Sequence, residues 1–410
     1  DDALRAGFGW ENGPFQIWNS IGIKKGVEIM ESLGYKPADW ISDMISNNIN
    51  NFYKVENGIT NYYDISTKSF LPKPGQDSLI ILKNLNKSSI VWENSDSVIS
   101  DIGDGIINLE FRTKMNTLGQ GVLMGINKAV DLAEKDFKGI VIGNEGSHFS
   151  AGANLGAIFM AAAEQEYDEI NLAIKFFQDS MMKLRYSSVP VIAAPHGLTL
   201  GGGCEVTMHC DKAVAYSESY IGLVEVGAGL IPGGGGCKEM ALRASEKFSK
   251  NDVELNVLQE YFLNIGMAKT STSAYEAIDL GYLQPNNDTI IMNKNHQISI
   301  AKKQAILMAD YGYLPPFKVK DIKVLGKQAL GTFMVGTDTM KAGKYISEHD
   351  QKIANKIAYV ISGGDLSQST LVSEQYLLDL EREAFLSLCS ERKTLERIQH
   401  ILKTGKPLRN

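Results

Sequence analysis

Three consecutive glycines, Gly201 to Gly203, stand where a strand-like run meets a helix-like one in TLGGGCEVTMHCDKA, residues 199–213. Glycine loses more backbone freedom on folding than any other residue, so a run of it at an element boundary marks a place where a Cβ would obstruct something. Bare N–H groups at the start of a helix also make a cradle for negative charge. A second corner of the same kind follows the apolar run KGIVIG. There GSHFSAGANLGA places Ala151, Gly152 and Ala153 before another helical stretch. Two strand-to-helix corners built of small residues require a chain that alternates β and α.

The surrounding patterns agree. DGIINLEF alternates at period two, and GQGVLMGINKAVDLAEKD carries Val122, Leu123, Ile126, Val130 and Ala133 at helical spacing. VPVIAAP and KAVAYS read as further strands, with Pro190 near the start of the first, where a missing N–H is tolerated. This order predicts an α/β fold with largely parallel strands. Residues 1 to 70 show helical patterning in IGIKKGVEIMESLGY and PADWISDMISNNINNFY, with Trp10, Trp18 and Trp40. Pro72, Pro74 and Gly75 mark a boundary. From residue 296 onward the patterns are helical. The expected division is a helical segment 1–75, a linker 76–87, an α/β core 88–295 and a helical region 296–410.

A chain of 410 residues exceeds one compact core. With 44% apolar and 22% charged residues it reads as a water-soluble globular protein. No run reaches the ~20 apolar residues needed to span a bilayer. A net charge of -7 argues against a nucleic-acid partner, which calls for concentrated Lys and Arg. Cys204, Cys210, Cys237 and Cys389 show no disulfide spacing, which favours a reducing, cytoplasmic setting. The opening DDALRAGFGW has no initiator Met and no charged-then-apolar leader. A piece of a longer polypeptide without a signal peptide is therefore expected.

A nucleotide phosphate is disfavoured as the anion that a glycine corner cradles: GGGCE is not GxxxxGK[ST], and no GxGxxG follows the first strand with a ribose-reading acid beyond it. The alternative is an oxyanion hole, two N–H groups from different loops converging on a carbonyl oxygen that gains charge. Glu205 falls on the first turn of the helix that Gly202 opens. Glu225 sits in LVEVGAGLIPGG, an apolar, glycine-rich setting that raises a carboxyl pKa. Two such acids could divide general-base and general-acid roles. Each feature taken singly has a plainer reading: a packing corner, a helix N-terminal acid, a surface loop acid.

FSAGANL, HGLTLGGGCE and LVEVGAGLIPGGGG, in that order, closely resemble the crotonase (enoyl-CoA hydratase/isomerase) superfamily over roughly residues 88 to 310. The resemblance implies a spiral of β-β-α turns and an acyl-CoA thioester substrate. It implies that the thioester carbonyl is held by the backbone N–H groups of Ala153 and Gly202, with Glu205 and Glu225 as catalytic acids, twenty residues apart. Both acids together favour hydration of a trans-2-enoyl-CoA; Δ3-Δ2 isomerisation, which needs one, is the alternative. A noncatalytic acyl-CoA-binding scaffold is the contrasting reading, and retention of both acids weighs against it. The stretch DDALRAGFGWENGPFQIWNSIGIKKGVEIMESLGY resembles the C-terminal helical domain of 3-hydroxyacyl-CoA dehydrogenases. The whole then looks like the back part of a bacterial multifunctional β-oxidation protein. NAD would serve only the dehydrogenase, whose Rossmann domain is not in these residues, and the hydratase step would need no metal or redox cofactor. A homo-oligomer or a thiolase partner is implied by the same resemblance.

The chain departs from that pattern at Asn154, where Asp is common, in NLGAIF, which lacks a lysine often found there, and at His196, in place of Asn. A zinc site from Cys204, His209 and Cys210 is disfavoured, because the two thiols on one helix point in different directions. His148 has no partner acid in the sequence, and Ser147 and Ser150 lack a Gly-x-Ser-x-Gly elbow. The charged run EREAFLSLCSERKTLERIQHILKTGK is expected to form solvated helix faces.

Overall fold

In the computed structural model, residues 1–56, 58–76, 78–249 and 253–410 are described. They fall in two units, Asp1–Ser88 and Ser89–Asn410. The first begins with helices α1 (Asp2–Phe8), α2 (Pro14–Ile21), α3 (Ile23–Ser32) and α4 (Asp39–Ser46). An antiparallel meander follows: β1 (Tyr53–Glu56), β2 (Ile59–Asp64) and β3 (Ser69–Pro72). These strands add to the helical patterning of residues 1–75. The β2–β3 reversal is made by Asp64, whose Oδ2 accepts from the Thr67 N–H and hydroxyl at 2.8 Å each. Ile23, Ile41, Met44, Phe52 and Tyr63 form the core, with Phe52 edge-on to Trp18 and Trp40.

The second unit opens with β4 (Ile90–Glu93), β5 (Ser97–Asp101), β6 (Ile106–Phe111), α5 (Gln120–Asp136), β7 (Gly139–Ile142), α6 (Leu155–Ala163) and α7 (Tyr167–Arg185). It continues through β8 (Val191–Ala193), β9 (Gly197–Leu200), α8 (Gly202–His209), β10 (Lys212–Tyr216), β11 (Ser219–Gly222), α9 (Gly236–Lys247), α10 (Glu254–Gly266), α11 (Ala274–Asp279), β12 (Thr289–Ile291) and α12 (Gln297–Asp310). It ends with β13 (Ile322–Val324), α13 (Lys327–Ala342), α14 (Glu348–Ile361), β14 (Thr370–Val372), α15 (Glu374–Cys389) and α16 (Arg392–Thr404).

The main sheet runs β12-β10-β8-β7-β6-β5-β4. It is antiparallel from β4 to β6 and parallel from β6 to β12. All four residues of β7 and all three of β8 are buried, which is why these strands read as unbroken apolar runs. Helix α5 covers one face with Val122, Ile126, Ala129, Val130 and Ala133, and α12 packs on β7, β8 and β10. A narrow second ladder lies beside the sheet: Ser150 bridges Thr199, and β9 pairs in parallel with β11. Each β-β-α turn thus gives one strand to the sheet and one short step to the ladder. This is the crotonase-type α/β spiral. Among the described residues no helix is long and apolar enough to cross a membrane.

The C-terminal helices correct one expectation. The charged run is not a solvated face throughout: Glu381 and Arg397 are both 0% exposed. Helix α15 packs against α7, α9 and α14, and α16 lies on α6 and on the turn carrying Glu225. Arg397 donates to the Val226 carbonyl at 3.1 Å and pairs with Asp350 at 2.8 Å. A charge buried with a partner and a carbonyl is tolerated inside, and a helical wheel drawn from sequence cannot show it.

Candidate active site

The first corner leaves β7 through Asn144. Its buried side chain accepts from Phe111 N–H at 2.6 Å and donates to the Phe149 carbonyl at 3.0 Å, fixing where the loop turns. The chain then joins the ladder and reaches Gly152 at φ +100°. A methyl built there would lie 3.0 Å from the Leu200 carbonyl oxygen and 3.6 Å from Gly202 N. The two corners therefore meet backbone to backbone, and only glycine allows it. Beyond Gly152, Leu118 clasps the chain from both sides of Ala153: Leu118 N–H donates to Gly152 O at 2.8 Å and Asn154 N–H donates to Leu118 O at 3.0 Å. Asn154 then caps α6, accepting from Ala157 N–H at 3.3 Å.

The second corner turns at Gly201, with φ +53° and its N–H donating to Gly222 O at 2.8 Å. A methyl on Gly201 would sit 3.1 Å from Glu225 Oε1, one on Gly202 would sit 2.9 Å from Leu118 Cδ1, and one on Gly203 would sit 2.7 Å from Ser150 Cβ. All three glycines are thus places of close approach. Among the described residues, neither Ala153 N–H nor Gly202 N–H donates a hydrogen bond to the protein. Two free amides stand at adjoining corners.

Both glutamates converge on the same place. Glu205 is 1% exposed, and its Oε1 accepts from Gly234 N–H and Gly236 N–H at 2.8 Å each. Burial pushes its carboxyl up to about 7, and those two amides with Lys238 hold it from going further. Glu225 begins a 3-10 turn, Glu225–Ala228. The residue is half-buried, yet its Oε2 is out of solvent and has no hydrogen-bond partner among the described residues. Burial first, and then the charge of Glu205, hold its carboxyl well above the ordinary range. An unsatisfied buried carboxyl oxygen is costly, which makes Glu225 a candidate to meet a ligand.

An apolar cavity of about 650 Å³ adjoins the corners, lined by Leu118, Ala153, Ile158, Ile174 and Phe177 among others. Phe177 also closes on Gly202 and Gly234, so the cavity ends against the loops that carry the free amide of Gly202 and hold Glu205. Of the four site residues only Ala153 is in the lining of this cavity; a second, about 460 Å³ around Met340 and Asp350, is lined by none of them. His196 replaces a turn residue without entering the site. Its ring reaches Gly146 O at 2.9 Å and Ala194 O at 3.3 Å, and burial drives it down to about 4, so it is neutral. His148 Nδ1 accepts from Leu198 N–H, and Ser150 Oγ accepts from Gly152 N–H. Both side chains brace the first corner. Cys204 Sγ faces Met208 and Cys210 Sγ faces the Val206 carbonyl, while His209 Nδ1 meets the Glu205 carbonyl at 2.7 Å. All four cysteines are free thiols.

The residue that the motifs missed is Glu381. Its Oε1 accepts from Gly235 N–H at 2.6 Å and its Oε2 from Lys238 N–H at 3.1 Å, in the glycine loop that also holds Glu205.

Residues 101–251 match the family described as Enoyl-CoA hydratase/isomerase. A curated relative named "Probable 3-hydroxyacyl-CoA dehydrogenase" from Bacillus subtilis (strain 168) is 42% identical over all 410 residues and over 51% of its own length. A "Fatty acid oxidation complex subunit alpha" from Psychrobacter cryohalolentis is 29% identical over 36% of this chain and 21% of its own. The chain spans about half the length of the curated relatives that it matches end to end. A crystal structure of enoyl-CoA hydratase from Bacillus halodurans superposes with a TM-score of 0.50 over 74% of this chain and 99% of that one, at 15% identity, a likeness of fold.

Proposed function

We propose that the domain of the crotonase (enoyl-CoA hydratase/isomerase) superfamily carried by this chain is an enoyl-CoA hydratase, adding water reversibly to trans-2-enoyl-CoA to give 3-hydroxyacyl-CoA. The observation that carries the reading is the pairing of two free amides, Ala153 N–H and Gly202 N–H, at adjoining corners with two carboxyls beside them, both raised by burial. The amides receive the thioester oxygen as it gains enolate charge. The acyl chain lies in the apolar cavity that ends at Ala153 and Phe177.

The two acids divide the work by their environments. Near neutral pH, Glu205, at about 7, is substantially ionised, while burial and the charge of Glu205 favour the protonated form of Glu225. The Glu205 carboxylate orients a water and takes its proton as the oxygen bonds to C3. Glu225 gives its proton to C2, and transfer between the two carboxyls resets the site. Acid–base chemistry of this kind uses no metal or redox cofactor.

A single free carboxyl would suffice for Δ3-Δ2 isomerisation, and Glu225 has the unpartnered oxygen. That keeps isomerase as the second reading. Following loss of the conjugated thioester absorbance with enoyl-CoAs of increasing length, beside a 3-enoyl-CoA, separates the two. Hydratase predicts turnover of the 2-enoyl substrates, and absence of turnover at every length refutes it. The pH profile is a further expected result. kcat/KM rises as Glu205 ionises around pH 7. A profile flat through neutrality contradicts the assignment.

The same proposal places the 3-hydroxyacyl-CoA product with an NAD-dependent dehydrogenase in the longer protein, after the names of the relatives. It places the chain in the cytoplasm, where four free thiols persist. Assembly with a second copy or with a thiolase belongs to it too, and is read by light scattering of the chain alone and with a thiolase.

A further inference from the structure

The loop Gly233–Gly236 runs into α9, whose first amides have no partner within the helix. Two buried carboxyl groups on different elements take these amides in alternation. Gly234 and Gly236 donate to Glu205 Oε1 at 2.8 Å each. Gly235 donates to Glu381 Oε1 at 2.6 Å, and Lys238 donates to Glu381 Oε2 at 3.1 Å. Glu381 stands 146 residues from Gly235 in the chain and is itself immobilised by the packing of α15 against α7, α9 and α14. One turn before it, Leu378 closes on Gly235: a methyl there would lie 3.4 Å from Leu378 Cδ2. One turn after it, Phe385 closes on Gly233, at 3.0 Å from such a methyl. The glycines let the loop pass between these side chains, and Glu381 sets where it stops.

Because the two sets of amides alternate along one short stretch, any shift of Gly235 relative to α15 moves Gly234 and Gly236 relative to Glu205. Glu381 does not line the cavity beside the corners. We propose that Glu381 is a positioning residue for Glu205, fixing from α15 the glycine loop whose other amides aim the Glu205 carboxylate at the substrate. This rests on the hydratase reading. The ionisable groups that bear on Glu381 are Glu205, Glu225, Lys238 and the Cys237 thiol. Burial and the charge of Glu205 raise its carboxyl to about 8, against the amides of Lys238 and Gly235. The helical C-terminal region is thereby part of the catalytic apparatus.

The test uses the full 410-residue chain carrying Glu381→Gln or Glu381→Asp. Gln keeps the shape but offers one acceptor oxygen where two amides point. Steady-state kinetics on crotonyl-CoA should show kcat lowered roughly 10- to 100-fold with KM within about twofold, because a displacement near 1 Å is enough for that loss. Asp keeps two oxygens and should recover part of kcat. Hydrogen exchange read by mass spectrometry should quicken over residues 233–238 and stay unchanged in β7 and β8. Unaltered kcat in Glu381→Gln, or exchange that quickens alike in the loop and the sheet, overturns the proposal. A wild-type chain that turns over no enoyl-CoA refutes the hydratase reading instead. The exchange arm then decides for Glu381: acceleration confined to the loop supports its hold on that loop, and unchanged exchange overturns it.

Discussion

Glu225→Gln should lower kcat/KM on crotonyl-CoA by about 10²- to 10⁴-fold, the range for losing a general acid or base, while raising the melting temperature at neutral pH. The two effects have one cause. The Glu225 carboxyl is raised in the fold by burial and by Glu205, and its Oε2 has no partner among the described residues. In the unfolded chain an ordinary glutamate ionises near pH 4.3. A carboxyl whose folded pKa is raised binds its proton more tightly in the native state. Above pH 4.3 the fold therefore carries a cost that grows as pH rises toward the folded value. Glutamine carries no such proton and removes the cost, together with the chemistry. Thermal melts and kinetics on the same preparations check both. A variant that is active, or that is inactive with a lowered melting temperature, contradicts a Glu225 strained for catalysis.

What could be read from the sequence follows the range of its interactions. The glycine corners were legible because each is local: a strand, a turn and a helix within a dozen residues, with Gly201 at φ +53° beside the helix that it opens. The strands of the parallel sheet were legible because burial on both faces leaves continuous apolar runs such as GIVI. Glu205 and Glu225 came from the same local neighbourhoods, although which oxygen is free and which is held depends on Gly234 and Gly236 across a loop. Glu381 and Arg397 were not legible. They sit on helices that also carry exposed charges such as Glu383, Arg392 and Lys393, and burial comes only when α15 and α16 close on elements far back in the chain. The meander Tyr53–Pro72 was missed for a different reason. Its strands are four to six residues long and bury only Asn61 and Tyr63, so its pattern is set by pairing and turns rather than by an apolar face.

Gly152→Ala should cost about 10²- to 10³-fold in kcat, the size of losing one oxyanion donor, although the substitution adds a single methyl and touches neither acid. At φ +100° an L side chain is strained whatever the space around it. Here the space is also taken: the methyl would stand 3.0 Å from the Leu200 carbonyl oxygen, a backbone atom that no rotamer can clear. Relief requires the first corner to withdraw from the second, and the residue carried with it is Ala153, pinned on its other side by the Leu118 bridge. The Ala153 amide then no longer shares a focus with Gly202 N–H. Affinity for a saturated acyl-CoA, which develops no enolate charge, should change far less than kcat. Isothermal titration of the variant with butyryl-CoA, beside turnover of crotonyl-CoA, separates the two. If affinity and kcat fall by the same factor, the corner serves ground-state binding rather than the charge that forms in the reaction.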